Sequence, residues 1–394
     1  RMIMLGCHFM ADHKQGSVPF KNVYIHALVR DADRQKMSKT KGNVIDPIEV
    51  TEKYGTDAVR FTLASMASPG TDVAFSEGRT DGYRAFANKI WNAARFMFMN
   101  LDRVSFASLT SGAPEALLKK LEHRWIYSRF HRVAGEVNHN LADYRFDEAA
   151  NSIYRFFWGD FCDWYLEIIK PAFSGTQEEA RTTLAFLGDI FEGSLRLLSP
   201  FMPFITEEVW HAMYEGRPPA KSIALARYPE LDKQWLNDQA EEQMVVLQDL
   251  IEKVRNMRAE MKVEPKVKAP VKIHAAADVN KLVTENRGMV ERLASVGGIE
   301  FVNESLTQMA GARTTPKFEV ALVYEQKVDV AAERERVTKE LAKLEGELAN
   351  ADRQLGNEQF LAKAPCAVVE GIRRRQGELH KLMEKIKTAL AKLG

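Results

Sequence analysis

The chain has 394 residues, enough for roughly two or three domains with sizeable cores, and its 55 Lys and Arg against 54 Asp and Glu leave it close to neutral. That balance excludes a global field for holding nucleic acid, so any polyanion must be met by local patches. Cys7, Cys162 and Cys366 are far apart and form no Cys-x-x-Cys, which argues against a thiolate zinc site or a disulfide framework; no apolar run of about 18 residues marks a transmembrane helix.

Residues 1–15 read as the tail of a helix, and Val18-Pro19-Phe20 as a loop. Val23–Val29 is β-rich and largely apolar, which predicts a buried strand. After a polar turn over Arg30–Gln35 comes Lys36-Met37-Ser38-Lys39-Thr40-Lys41-Gly42-Asn43. Three lysines with interleaved hydroxyls and a closing Gly-Asn make a cationic loop, not a core element. Such a cluster suits a polyphosphate whose charge must be met while it changes shape; a solvated lysine-rich turn is the competing reading. Asp46-Pro47-Ile48-Glu49 then starts a helix, with Asp46 as cap, Pro47 at the first position and Glu49 placed to reach back. Strand, loop and capped helix in that order are the usual frame of a nucleotide site at the carboxyl edge of an α/β sheet.

Helical periodicity dominates from about residue 79, with patterns over 79–102, 115–141, 146–170 and 177–213. In the third, Ile153, Phe156, Phe157, Asp160, Phe161, Trp164 and Ile168 share the expected face. These patterns predict a helical bundle with ends or kinks at Pro171, Pro200 and Pro203. An irregular crossing from Glu215 to about 237 leads to a helix over 238–262. A small α/β module follows, with strands at Val271–Ala275, Ile299–Val302 and Phe318–Val323 and a helix over 278–294. Residues 329–394 carry heptad spacing in two runs, Val337 to Leu355 and Ile372 to Leu393, separated by a turn containing Gly356 and Pro365. That predicts an antiparallel coiled-coil hairpin with arms of about 39 Å. From Glu358 onward eight Lys and Arg face four Glu, so the returning arm is basic.

Lys36-Met37-Ser38-Lys39-Thr40 resembles the KMSKS signature of class I aminoacyl-tRNA synthetases, and the likeness continues through Gly42-Asn43-Val44-Ile45-Asp46-Pro47. His26–Asp31, Tyr54–Phe61 and Asn88–Phe96 are similar to the valyl branch, and the terminal hairpin, with Asn357–Phe360 and Lys363-Ala364-Pro365 at its tip, resembles the valyl tRNA-binding arm. An isoleucyl-type synthetase, or a non-catalytic tRNA-binding protein derived from a synthetase, is the alternative. The resemblance implies a mixed, mainly α architecture: the end of a Rossmann-type catalytic domain (1–78), a helical-bundle anticodon-binding domain (79–237), a helix plus small α/β module (238–328) and a coiled-coil tRNA-binding arm (329–394).

It further implies ATP-dependent activation of L-valine to valyl-adenylate and transfer to tRNA-Val, with Mg2+ on the phosphates and no protein-bound zinc in this segment. Lys36 and Lys39 match the two signature lysines and are the expected catalytic residues, with Lys39, Met37, Ser38 and His26 around ATP and Thr40 in the motif's fifth place. Arg95 and Phe96 are the expected anticodon contacts, Trp91 on the same helix is expected in the core, and Arg373, Arg374 and Arg375 are expected on the tRNA elbow. The basic cluster of Arg124, Arg129, His131 and Arg132 is either a second tRNA face or a solvated stripe. The family's His-x-Gly-His is missing, and Gly6-Cys7-His8 does not replace it. The expectation is therefore the C-terminal part of a cytoplasmic, monomeric enzyme, unable to activate valine alone, with the editing domain upstream of residue 1.

Overall fold

Parallel pairing of β1 (Val29–Arg30) with β2 (Val73–Ala74) sets the lysine-rich loop at the carboxyl end of a strand. The structure, a computed structural model, describes residues 1–10, 22–101, 119–309, 311–324, 330–356 and 366–392. The chain divides into two units, one of Arg1–Met257 with Pro265–Leu322 and one of Arg258–Glu264 with Val323–Gly394.

The first unit opens with α1 (Met2–Met10), which buries no side chain. The buried strand expected over Val23–Val29 does not form: regular pairing is confined to β1, and Val23 and Ile25 are 80% and 83% exposed. The reason is the lack of cover. An apolar strand is stable only between layers and beside a partner strand, and among the described residues β1 pairs only with two-residue β2. Downstream the local signals are obeyed. Asp46 accepts from the Ile48 amide (2.8 Å) at the start of α2 (Pro47–Tyr54), and α3 (Thr56–Met66) follows at once. Val50, Val59 and Phe75 form a small core beneath the loop, joined by Met37, Ile45, Tyr54 and Leu63.

The bundle comprises α4 (Glu77–Leu101), α5 (Leu121–Ala142), α6 (Phe146–Arg155), α7 (Leu166–Ile169), α8 (Gln177–Leu198) and α9 (Pro203–Met213). Its centre is aromatic, with Trp125, Trp210, Tyr165, Phe86, Phe156, Phe157 and Phe191 fully buried. At Gly193 an added Cβ would lie 2.5 Å from the Phe130 ring, so glycine there lets α8 approach α5. The expected 177–213 helix breaks at Ser199–Met202, where Pro203 restarts it. Between α6 and α7, residues Phe156–Tyr165 wind as a π-helix. Its wider turn moves the buried face: Phe156 and Phe157 are followed five residues on by Phe161 and Cys162, and Tyr165 takes the buried place expected for Trp164.

After short 3-10 turns at Ile223–Leu225 and Lys233–Trp235 comes α10 (Asp238–Glu260). The small module is a four-stranded sheet in the order β4-β3-β6-β5, made of β3 (Val271–Ala275), β4 (Ile299–Phe301), β5 (Arg313–Thr314) and β6 (Phe318–Leu322). β3 and β4 run parallel with Val271 opposite Ile299; β3 and β6 run antiparallel with Ile273 opposite Val320. The crossover is two helices, α11 (Ala277–Glu285) and α12 (Arg287–Ala294), where one was expected, and β5 was not anticipated. Arg292 on α12 donates to the carbonyls of Glu167 (2.7 Å) and Ile168 (3.1 Å), where a cation complements a helix's carboxyl end.

The second unit pairs α13 (Val330–Leu355) with α14 (Cys366–Lys392). Leu341, Leu344 and Leu348 meet Leu379 and Met383, while Asp352 meets Gln376. Later residues of one helix thus face earlier residues of the other, which is the antiparallel pairing that the heptads predict. The hairpin tip read from Asn357–Phe360 and Lys363-Ala364-Pro365 lies outside the described residues.

Candidate functional site

The lysine loop is short because its two ends are tied together. Residues Lys39–Lys41 form one 3-10 turn, with Lys41 N donating to Ser38 O (3.1 Å) and Gly42 N to Lys39 O (3.2 Å). Gly42 closes the turn at φ 69°, in the left-handed region that glycine enters without strain. Met37 anchors the loop, its side chain against the small core of Val50, Val59 and Phe75. The chain reverses before the loop at Arg34, whose φ is 60°.

Polar side chains complete the tie. Asn43 Nδ2 donates to Asp31 Oδ2 (2.7 Å) and to Lys36 O (3.3 Å), while Asn43 Oδ1 accepts from Ser38 N (2.9 Å). Asp31 Oδ1 accepts from the amides of Gln35 (2.6 Å) and Asp33 (3.1 Å). The Asn43 amide beside Asp31 holds its carboxyl below the usual carboxylate range, against a smaller opposing effect of desolvation. Lys41 is spent on Gln35, at 3.3 Å. Lys36 and Lys39 are both exposed, and the side-chain amine of neither has a hydrogen-bonding or ionic partner among the described residues. Two cations on a braced loop with no counterion of their own can serve an incoming anion. Ser38 and Met37 are half-buried and Thr40 is exposed. His26 is exposed with Nδ1 2.8 Å from Ala27 O, and among the described residues no hydrogen bond joins it to the loop.

The stretch Tyr54–Phe61 fastens this frame to the bundle. Asp57 is buried and accepts from the amides of Phe204 (3.2 Å) and Ile205 (2.7 Å), the otherwise unpaired donors at the start of α9. Arg60 donates to Pro200 O (3.1 Å), and Phe61 sits among the rings of Tyr83, Phe86, Tyr154 and Phe201. Spacing alone does not expose this joint, because Asp57 also looks like an ordinary acid in a first helical turn.

Along α4, Arg84, Asn88, Trp91, Asn92, Arg95 and Met99 are all exposed. Their spacing places them on one face, whose first turns also carry Glu77 and Asp81. Trp91 was expected in the core but is 54% exposed, because Ile90, Ala93, Ala94 and Met97 occupy the buried side instead. Phe96 is half-buried, edge-on to Phe173 with centroids 5.6 Å apart. Three members of the basic cluster of α5 are engaged within the fold and do not form a freely solvated stripe. Arg129 pairs with Asp160 (2.9 Å) and Glu241 (3.4 Å), and Arg132 with Asp238 (2.5 Å) and Glu241 (3.1 Å). His131 accepts from the Asp232 amide (3.2 Å) and stacks on Trp235, and Trp125, Tyr127 and Phe130 are buried. Asp160 lies 31 residues downstream and Glu241 and Asp238 more than a hundred, beyond the reach of a local helical pattern. On α14, Arg373, Arg374 and Arg375 are exposed. Arg375 pairs across the hairpin with Glu347 (3.2 Å) and along its own helix with Glu378 (3.6 Å), whereas Arg373 and Arg374 have no ionic partner among the described residues.

Comparison with known proteins matches three family profiles in chain order. Residues 1–76 match tRNA synthetases class I (I, L, M and V), residues 123–273 the anticodon-binding domain of tRNA ligase, and residues 329–394 the valyl tRNA synthetase tRNA binding arm. Valine–tRNA ligase of Solibacter usitatus is 42% identical over 95% of this chain and 41% of its own length. The valine–tRNA ligase of Syntrophotalea carbinolica is 41% identical over all of this chain and 43% of its own, and that of Geobacter sulfurreducens 40% identical over all of this chain and 44% of its own. The chain therefore spans about two fifths of the length of the curated relatives it matches. A solved ternary complex of the Agrobacterium radiobacter K84 agnB2 LeuRS covers 60% of this chain and 27% of its own at 21% identity, with a TM-score of 0.43.

Proposed function

The chain belongs to the valine–tRNA ligase family, and we propose that it supplies the pyrophosphate-leaving loop and the tRNA-holding surfaces of a ligase that charges tRNA-Val. The observation that carries this reading is the pair Lys36 and Lys39, exposed on a braced loop, with side-chain amines that have no partner among the described residues. A valine carboxylate oxygen attacks the α-phosphorus of ATP, the bond to the β-phosphate oxygen breaks, and pyrophosphate leaves with the charge that the two lysines meet. Lys39 is the principal ATP contact, with Met37 and Ser38 shaping the loop, Thr40 completing the motif and His26 at the cleft edge. A hydroxyl of the terminal ribose of the tRNA then attacks the carbonyl of the adenylate and AMP leaves.

Mg2+ arrives with the ATP phosphates. The face of α4 carrying Arg95 and Trp91, with Phe96 at its margin, contacts the anticodon loop. Arg373 and Arg374 hold tRNA backbone through charge, with Arg375 shared between that task and the hairpin. The four segments 1–78, 79–237, 238–328 and 329–394 divide this labour. A monomer in the cytoplasm completes the reading, and the free thiol of buried Cys162 fits a reducing compartment. Because the curated relatives are more than twice as long, valine activation requires the remainder of the ligase.

In a complete ligase carrying this sequence, Lys39→Ala is expected to slow valyl-adenylate formation about 100-fold while leaving valine binding within about twofold. Equal losses in both would refute the role in the transition state.

A further inference from the structure

The backbone hydrogen bonds of the lysine loop shape only the turn from Ser38 to Gly42. Beside the packing of Met37 and the bond from Asp31 N to Gln35 O that closes the preceding reversal, one polar side chain ties that turn back to the strand it leaves. Asn43 uses its amide donors on Asp31 and on the carbonyl of Lys36, and its amide oxygen on the backbone of Ser38. It thereby joins the residue just after β1, the first signature lysine and the residue before the second. Asp31 is itself held by the amides of Gln35 and Asp33, so the anchor does not swing. The bonds from Asn43 to Asp31 and from Ser38 to Asn43 are partly buried, which limits the competition of water for them.

We propose that Asn43, anchored by Asp31, is the positioning residue of the lysine loop, fixing where Lys36 and Lys39 stand before ATP arrives. The proposal rests on the reading of the loop as the site of pyrophosphate departure. Asn43 need not touch ATP; it acts through the backbone to which both lysines are attached. A loop without this brace retains its charges but samples many placements, so the loss falls on the chemical step and not on the binding of valine. Displacements near 1 Å cost about 100-fold when groups must meet a transition state.

The test uses the complete ligase and measures valine-dependent ATP–pyrophosphate exchange, valine binding, tRNA binding and melting temperature. The variants are Lys39→Ala, Asn43→Ala, Asn43→Asp, Asp31→Asn and the double exchange Asp31→Asn with Asn43→Asp. Asn43→Ala removes the brace, and Asn43→Asp sets two carboxylates against each other at nearly constant shape. Each is expected to lower kcat about 10- to 100-fold with the KM for valine, tRNA affinity and melting temperature within about twofold or a degree or two of the parent. The double exchange restores a donor–acceptor pair between positions 31 and 43 and is expected to recover at least about tenfold over Asn43→Asp. Two results overturn the proposal: exchange rates of Asn43→Ala at parental level while Lys39→Ala is impaired, or a double exchange no better than the worse single variant. If Lys39→Ala itself leaves exchange unaffected, the role of the loop falls and the brace with it.

Discussion

Two basic regions of this chain look alike in sequence and end in opposite states. Lys36, Lys39 and Lys41 fall within six residues, and Arg124, Arg129, His131 and Arg132 within nine. In the folded chain α5 meets the start of α10, where Glu241 is shared by Ser128, Arg129 and Arg132, with Asp238 and Asp160 beside it. Arg129 and Arg132 are structural, because the fold supplies their counterions. At the loop the fold supplies a brace instead of an acid: Asp31 and Asn43 hold the backbone, and the side-chain amines of Lys36 and Lys39 meet no acid among the described residues. Whether a cation is available for function is thus settled by tertiary partners, not by local charge density.

The comparison is most sharply stressed at Glu241, whose side chain is only 16% exposed. Glu241→Ala leaves Arg129 and Arg132 half-served and removes the acceptor of Ser128. The expected cost is about 2–3 kcal/mol, below the value for a fully buried pair because both arginines retain a second acid and some solvent. Chemical denaturation of the parent and the variant measures it; a change under about 0.5 kcal/mol would mean the seam is ornamental.

Asp189 offers the inverse case, an acid that burial leaves poorly served. It lines a cavity of about 430 Å3 between α8, α9 and the crossing segment, accepts from the Tyr127 hydroxyl, and has its pKa pushed from 3.8 to about 6 by burial and then by the charge of Glu192. Below 3.8 the folded and unfolded forms are equally protonated. Between 3.8 and about 6 the folded form holds more protons, so stability falls as pH rises through that window, and the deficit is complete above it. Asp189→Asn keeps an acceptor for Tyr127 and removes the ionisation. It is expected to gain about 1–2 kcal/mol at neutral pH and to flatten the slope across that window, which melting curves at several pH values would record. The smallest effect belongs to the loop's approach. Arg34 occupies left-handed backbone at φ 60°, and Arg34→Gly exchanges that strain against the entropy of a freer unfolded chain. The net change is expected to stay under about 1 kcal/mol, read from the same denaturation experiment.

Much of this was legible in the sequence where the cause is local. Asp46 and Pro47 start α2 as their chemistry requires, the heptads give the antiparallel hairpin, and the strand patterns of β3, β4 and β6 mark the small sheet. The KMSKS-like stretch marked the loop by type and spacing. The misreadings arose where the cause lies elsewhere in the chain or in a different helical period. Val23–Val29 has strand composition but, among the described residues, no layers that enclose it. Trp164 lost its buried place because the helix there turns in π geometry and not at 3.6 residues. Trp91 is exposed although its residue type favours burial, and the α5 arginines find acids that no window of sequence includes. At the site, the lysines were visible as chemistry, but the brace was not: Asp31 and Asn43 are twelve residues apart, and only the fold makes them neighbours.

The most direct measurement places one cation from each region in the same assay. Lys39→Ala and Arg132→Ala, each in the complete ligase, are compared for the rate of valyl-adenylate formation and for melting temperature. The account predicts that Lys39→Ala loses about 100-fold in rate and keeps its melting temperature, while Arg132→Ala keeps its rate within about twofold and melts several degrees lower. Reversal of that pattern, or parallel losses in both variants, would contradict it.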